Sequence, residues 1–241
     1  MEQQIVSCLG RRLALWTHDA PDHMAAAIRA HRQFYEIDVL MKCRELYLPG
    51  TAVVDVGANI GNHTVFFAAI LGAPVYAFEP DPANHALLAL NIAANGLDRR
   101  VIATCCALGA TNGTATLHPG PAANRGVASV RFGNGEIPVR DLDGLNIPDP
   151  IGLLKIDVEG SEAAVLAGAH RLIEAWLPDI VIEAADARAF RDTAATLLDR
   201  GYVPCGRHAA TPTYVFRAVD QTRRMRRILA DTPMGRAPSS P

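Results

Sequence analysis

The stretch VVDVGANIGNHTVFFAAILGAPVYAFEPD, Val53–Asp81, decides the fold. A short apolar run of strand length leads into DVGANIG, Asp55–Gly61, which opens a helix from about Asn62. Gly57 can take a turn conformation closed to other residues, and Gly61 lets the helix pack close. Such a turn is expected to bring a ligand against main-chain N–H groups. Eighteen residues beyond Gly61, the strand PVYAFE ends in Glu79, a carboxylate placed to accept hydrogen bonds from two vicinal ribose hydroxyls. Either half alone is more often a plain turn, but together they point to a nucleoside.

The glycine spacing narrows the nucleoside. Dinucleotide sites use GxGxxG to bring a pyrophosphate onto the helix N-terminus, whereas this turn reads Gly57-Ala-Asn-Ile-Gly61 and lacks the middle glycine. A ligand with adenine and ribose but no phosphate, its amino-acid tail lying along the turn, satisfies the pattern; S-adenosylmethionine is such a ligand. The expected cofactor contacts are Asp55, Gly57, Ala58, Asn59, Gly61, Asn62 and Thr64 from the turn and helix, Glu79 and Pro80 after the second strand, Cys106 and Ala107 by their backbone, and Asp157. An NAD(P)-dependent oxidoreductase is the competing enzyme reading. A non-catalytic nucleoside-binding protein is the alternative from another class.

From Ala52 to Glu183, apolar strands alternate with helical stretches: AVVDV, PVYAFE, VIATCC, GLLKID and DIVIEA. Helical crossovers imply an α/β fold with a parallel sheet covered on both faces. Pro82 sits where a first-turn proline is tolerated, and Asn95-Gly96 supplies a left-handed stop to that helix. The segment KIDVEGSE, Lys155–Glu162, puts Asp157 and Glu159 at the carboxyl end of the fourth strand, where open sheets of this kind bind ligands. Glu183 closes the fifth strand, so three carboxylates can line one rim. Lys155 reads as one half of a structural ion pair.

Methyl transfer needs alignment and exclusion of water, with a base when the acceptor is an un-ionised hydroxyl. The candidate catalytic residues are Asp157, Glu159 and His63; the last follows the glycine turn, where the helix dipole favours a neutral, proton-accepting imidazole. Each has a plainer reading: Asp157 as a cofactor holder, Glu159 as a helix-start charge, His63 as a packing residue. A Mg²⁺ ion on Asp157, Glu159 and Glu183 is the alternative to a protein base, though no metal is expected. Asp141 and Asp143 in VRDLDGL read as turn and helix-cap residues.

VVDVGANIGNHTVFFAA, AFEPDPANHALLALNIAANG, the LD of VRDLDGL and, most specifically, LLKIDVEGSEAAVLAGA followed by PDIVIEA resemble the FkbM family of S-adenosylmethionine-dependent methyltransferases. The resemblance runs in order from about Phe34 to Glu183. It implies a class I methyltransferase (Rossmann-like) fold, a mostly parallel seven-stranded sheet with a reversed final hairpin, and O-methylation of a sugar or natural-product hydroxyl. His63 stands at a position often held by another residue, which leaves the acceptor open.

The rest of the chain frames this core. It has 241 residues, 49% of them hydrophobic, enough for one sizeable α/β domain. Residues 1–50 read as an N-terminal cap or lid, 51–220 as the cofactor-binding domain, and 221–241 as a tail that frays. The glycine- and asparagine-rich stretch between the third and fourth strands reads as a short antiparallel insertion or a loop near the site. The acceptor pocket is expected from Phe34, Tyr35 and Glu36 in the cap and from the loop holding Asn124 and Arg125. The amphipathic run FYEIDVLMKCRELYL is first of all core, and a dimer face or a lid besides. A net charge of −2 offers no clustered basic face, so the partner is expected to be a small-molecule hydroxyl acceptor and not a nucleic acid. The basic charge is nearly all arginine, with Lys42 and Lys155 the lysines, a bias that reads as bacterial codon history. The five cysteines form no CxxC pair and are expected as buried, reduced thiols. No apolar run of eighteen residues and no signal-peptide order occurs, so a cytoplasmic protein without a membrane span is expected.

Overall fold

The computed structural model describes residues 1–19, 22–118, 128–208 and 212–231. The chain opens with a hairpin, β1 (Glu2–Cys8) and β2 (Arg11–Thr17), followed by helices α1 (His23–His31) and α2 (Ile37–Leu46). Alternation of β3 (Ala52–Val56), α3 (Asn62–Ala69), β4 (Val75–Phe78), α4 (Pro82–Ala94) and β5 (Val101–Thr104) builds the first half of the core. An insertion holds β6 (Ala107–Leu108), β7 (Gly113–His118), β8 (Ser129–Phe132) and β9 (Ile137–Arg140). The second half runs β10 (Ile151–Ile156), α5 (Glu162–Gly168), α6 (His170–Trp176), β11 (Asp179–Glu183), α7 (Ala187–Leu198), β12 (Tyr202–His208), β13 (Thr213–Ala218) and α8 (Gln221–Asp231).

The seven-stranded sheet has the order β12-β13-β11-β10-β3-β4-β5. All neighbours pair in parallel except β13, which is antiparallel to both β11 and β12. Buried strands alternate their side chains between two cores, as the pleat requires. Val53, Val75 and Leu153 pack with α2, α3, α4 and the hairpin, while Val54, Tyr76 and Leu154 pack with α5, α6 and α7. The strand order reverses between β3 and β10, which places the carboxyl ends of these two strands at the natural ligand site.

The hairpin docks through asparagines one helical turn apart, Asn91 in α4 and Asn95 at its C-cap. Asn91 Oδ1 accepts from the Trp16 N–H and its Nδ2 donates to the Trp16 carbonyl, at 2.5 and 3.0 Å. Asn95 treats Ala14 in the same way, at 2.9 and 2.8 Å. Two side-chain amides thus satisfy a strand edge that would otherwise be open. Pro82 does open α4, with Asp81 accepting from the Ala83 N–H at 2.8 Å, and Gly96 is the left-handed residue after its end.

Three expectations change. The third strand stops at Thr104, because Cys105 and Cys106 leave the sheet toward β6. Not every thiol is buried: Cys205 is exposed, and Cys105 is half-buried. The tail does not fray from residue 221, because α8 forms and one of its arginines finds a buried carboxylate. Asp179, fully buried at the start of β11, lies 2.8 Å from Arg224 Nη1 and 3.1 Å from Arg217 Nε. Arg224 Nη2 also donates to the Gly152 carbonyl at 2.9 Å. Residues 232–241 lie outside the described residues.

Arg224→Ala is therefore expected to lower stability by about 2 kcal/mol, since Asp179 keeps Arg217 but loses its buried partner. The urea midpoint is the measure. An unmoved midpoint would show that α8 is not anchored through this contact.

Candidate active site

The glycine turn is built as its residues suggest but occupied otherwise than expected. Gly57 has φ +75°, and a Cβ there would lie 1.8 Å from the Asp157 carbonyl oxygen. Gly61 has φ +91° and abuts Leu88, so the second glycine brings α3 close to α4. The N–H groups of the turn, however, are taken within the protein. Those of Gly57 and Ala58 donate to the Phe78 carbonyl at 3.0 Å each, and Gly61 donates to Ala58 at 2.8 Å. Asn59 donates to Glu79 Oε2 and Ile60 to the Asn59 side chain, both at 2.8 Å. The expectation of a ligand lying against free main-chain donors is corrected. A turn with no free N–H group cannot cradle a phosphate, which counts against a dinucleotide.

Glu79 follows β4 and is 5% exposed. Its two oxygens accept from Asn59 and from the Asp81 N–H, the latter at 2.9 Å. Burial pushes its pKa up to about 7, against the pull of those two hydrogen bonds. It lies in the wall of a cleft of about 680 Å³ with Gly57, Asn59, Pro80, Cys106, Ala107 and Asp157. Phe78, Leu108, Val130 and Val158 give this cleft apolar walls. Asn84, which the sequence reading missed, joins it from the first turn of α4 and meets His18 at 2.8 Å.

Asp55, Gly61 and Thr64 lie beneath this wall and not in it. Asp55 is fully buried; it accepts from the Thr64 hydroxyl at 2.6 Å and lies 3.1 Å from Lys155 Nζ. Lys155 pairs across the strands with Asp55, reaches Asp157 at 3.3 Å and donates to the Gly57 carbonyl at 3.0 Å. One ammonium thus ties the tips of β3 and β10 together under the turn. Asn62 is also differently employed: its amide accepts from the Tyr35 N–H and donates to the Tyr35 carbonyl, both at 3.0 Å. It clamps the cap segment to α3.

A second cavity, of about 960 Å³, shares Gly57, Asn59, Asp157 and Glu159 with the first. Ala58, Asn62, Tyr35, Glu36, His63 and Glu183 complete much of its lining. Phe34 is buried in the core instead, edge-on to Phe66, and Asn124 and Arg125 lie outside the described residues. Charge is crowded here. Burial works against ionised Asp157, but the Lys155 ammonium and a hydrogen bond with Glu183 outweigh it and hold the carboxyl below its usual range. Glu183 is pushed up to about 9 by burial and then by Asp157, and Glu36 to about 7 by the same two causes. Glu159 is raised by burial, Asp157 and Glu162. His63 is lowered to about 4, chiefly by burial and next by Lys155, so the neutral imidazole expected from the helix dipole has a different main cause. Glu162 accepts from the Gly160 N–H at 3.0 Å and caps the entry to α5. Asp143 caps α6, accepting from the N–H groups of Arg171 and Leu172 at 2.8 Å each.

A parallel sheet closed by a reversed hairpin, with a carboxylate after the second strand and a cleft at the strand switch, defines a class I S-adenosylmethionine-dependent methyltransferase. The comparisons with known proteins agree. This chain belongs to the FkbM methyltransferase family: the methyltransferase FkbM domain matches residues 55–204. It is 32% identical over 192 residues to the 31-O-demethyl-FK506 methyltransferase FkbM of Streptomyces tacrolimicus, covering 64% of this chain and 73% of that one. Methyltransferase FkbM from Methylobacillus flagellatus is similar in structure, with 23% identity, a TM-score of 0.49 and coverage of 70% of this chain; the match spans 43% of that longer chain. The fold is shared with the M. jannaschii tRNA m1G37 methyltransferase, at TM-score 0.52 and 12% identity over 90% of this chain and 56% of that one. Among the described residues, no helix is long and apolar enough to cross a membrane.

Proposed function

We propose that this chain methylates a hydroxyl group of a small molecule. The observation that carries the reading is the pair of cavities meeting at Asp157, one walled by Glu79 and apolar side chains, the other rimmed by carboxylates and His63. The first suits S-adenosylmethionine: Glu79 has acceptor capacity left for ribose hydroxyls, Phe78, Pro80, Cys106 and Ala107 offer an apolar face for adenine, and Asp157 and Gly57 face the amino-acid end, with Ala58 just beyond them in the second cavity. When bound, this cofactor supplies an electrophilic methyl group on a sulfonium. The protein's part is to align an acceptor oxygen from the second cavity, exclude water and receive the hydroxyl proton. Glu159, half-buried on the rim common to both cavities, is placed to take that proton; Asp157, held ionised by Lys155, and His63 orient the reactants. The relative from Streptomyces, whose name puts its action on 31-O-demethyl-FK506, supports a hydroxylated natural product or sugar as acceptor. The filled N–H groups of the turn disfavour an oxidoreductase using NAD.

Calorimetric titration with S-adenosylhomocysteine beside NAD tests the cofactor half. Micromolar binding of the first alone supports the reading, and preference for NAD sinks it. Transfer of a labelled methyl group to an alcohol, with none to the matching amine, tests the acceptor half. The affinity should depend on pH through Glu79. Ribose hydroxyls donate to its ionised form, so binding expels a proton and tightens as pH rises. The groups facing it are the Asn59 and Asp81 N–H groups, the Asn84 side chain, the Asp81 carboxylate and Cys105. With a pKa of about 7 in the free protein, the dissociation constant should be about tenfold weaker near pH 6 than near pH 8. Glu79→Gln should flatten that profile, and a flat wild-type profile would exclude this role for the carboxylate.

A further inference from the structure

We propose that Glu36, His63 and Asp157 form the binding site of one divalent transition-metal ion, of the manganese or zinc kind, in the floor of the acceptor cavity. One oxygen or nitrogen atom from each lies within 4.8 Å of the others. His63 Nε2 and Glu36 Oε2 are 3.6 Å apart, too far for a hydrogen bond. Two donors each about 2.1 Å from one ion, at tetrahedral or octahedral angles, stand about 3.0–3.5 Å apart.

Independent features point the same way. His63 is 7% exposed, lines the cavity, and its Nε2 has no hydrogen-bond partner, an arrangement that is costly unless a ligand answers it. Glu36 is held in the left-handed region at φ +54°, unusual for a residue with a side chain and a mark of imposed geometry. The residue before it, Tyr35, is clamped at two points by Asn62, and Asn62 precedes His63 on α3. Both ligands are therefore set by one support, as metal sites require. The ammonium near these carboxylates is already engaged. Lys155 is shared by Asp55, Asp157 and the Gly57 carbonyl, and among the described residues no lysine or arginine pairs with Glu36 or Glu183. Mixed carboxylate and imidazole donors suit Mn²⁺ or Zn²⁺ better than the all-oxygen preference of Mg²⁺ or Ca²⁺. This departs from the Mg²⁺ alternative on Asp157, Glu159 and Glu183, since the structure brings Glu36 and His63 to Asp157.

Resting on the methyl-transfer reading, the ion would hold the acceptor oxygen. Its charge would weaken the acceptor's O–H bond, with the electron pair staying on that oxygen and Glu159 receiving the proton. The site itself is tested without turnover. Chelator-stripped full-length protein is titrated with Mn²⁺ and with Zn²⁺, then again as Glu36→Gln and His63→Gln, with S-adenosylhomocysteine binding measured on every sample. One ion per chain, weakened at least ~10-fold by either substitution while S-adenosylhomocysteine still binds, supports the site. Pulsed electron paramagnetic resonance of Mn²⁺ on the unaltered protein should show nitrogen modulation from His63. No saturable binding of either ion, binding unchanged in the variants, or bound Mn²⁺ without nitrogen modulation overturns it. If S-adenosylhomocysteine still binds in that event, the methyltransferase reading stands; failure of that ligand on the unaltered protein would sink the reading instead.

Discussion

Replacing Glu79 with alanine is expected to weaken S-adenosylhomocysteine binding about 100-fold, which is about 2.7 kcal/mol. The size follows from where the turn's hydrogen bonds go. Gly57, Ala58, Asn59, Ile60 and Gly61 all donate within the protein, so recognition of the nucleoside falls to side chains. Hydrogen bonds to an ionised group contribute about 1.5–3 kcal/mol each, and two ribose hydroxyls on one carboxylate reach the expected loss even after allowance for water. The substitution also strands the N–H groups of Asn59 and Asp81, which loosens the turn and adds to the effect. Glu79→Gln, which keeps one acceptor oxygen and no charge, should fall between. Calorimetry at about pH 8, where the wild-type carboxylate is ionised, measures all three proteins. A melting curve taken alongside separates lost affinity from lost structure. Unchanged affinity in a folded Glu79→Ala protein would refute the ribose role.

The parts of this site legible in the sequence are those fixed by local geometry. Continuous apolar runs and helical crossovers reveal the β3–α3–β4–α4 unit, because strands buried on both faces must be apolar throughout. Gly57 and Gly61 announce a close approach, and KIDVEGSE announces the tip of β10. The parts not legible depend on partners far along the chain. Asn62 looks like a cofactor ligand until Tyr35, 27 residues earlier, is found on its amide. Arg224 looks like part of a basic tail until the Gly152 carbonyl, 72 residues away, and Asp179 are found beside it. Helix α1 carried no signal that separated it from the cap around it. Glu36 reads as part of the acceptor pocket and His63 as a base, but nothing in their spacing says that they meet. The meeting is made by the fold of the cap over α3.

Lys155→Met should produce the largest loss of stability, about 3–5 kcal/mol, a large share of what a domain of this kind possesses. Lys155 is 4% exposed, and its ammonium lies between a fully buried Asp55 and the rim residue Asp157. Methionine fills a similar volume, so the cost is electrostatic: Asp55 remains in the core with the Thr64 hydroxyl as its support, and the Gly57 carbonyl loses its donor. If that is the cause, adding Asp55→Asn should restore part of the loss, because an amide keeps the Thr64 contact without a stranded charge. Two independent packing defects would add instead. Urea unfolding of the single and double variants decides between these. The same ammonium joins the tips of β3 and β10, so the single variant should also bind S-adenosylhomocysteine more weakly, with the double variant recovering stability before affinity. A loss below about 1 kcal/mol for Lys155→Met would mean that the strand switch is held by packing alone, and that the ion cluster serves only the chemistry above it.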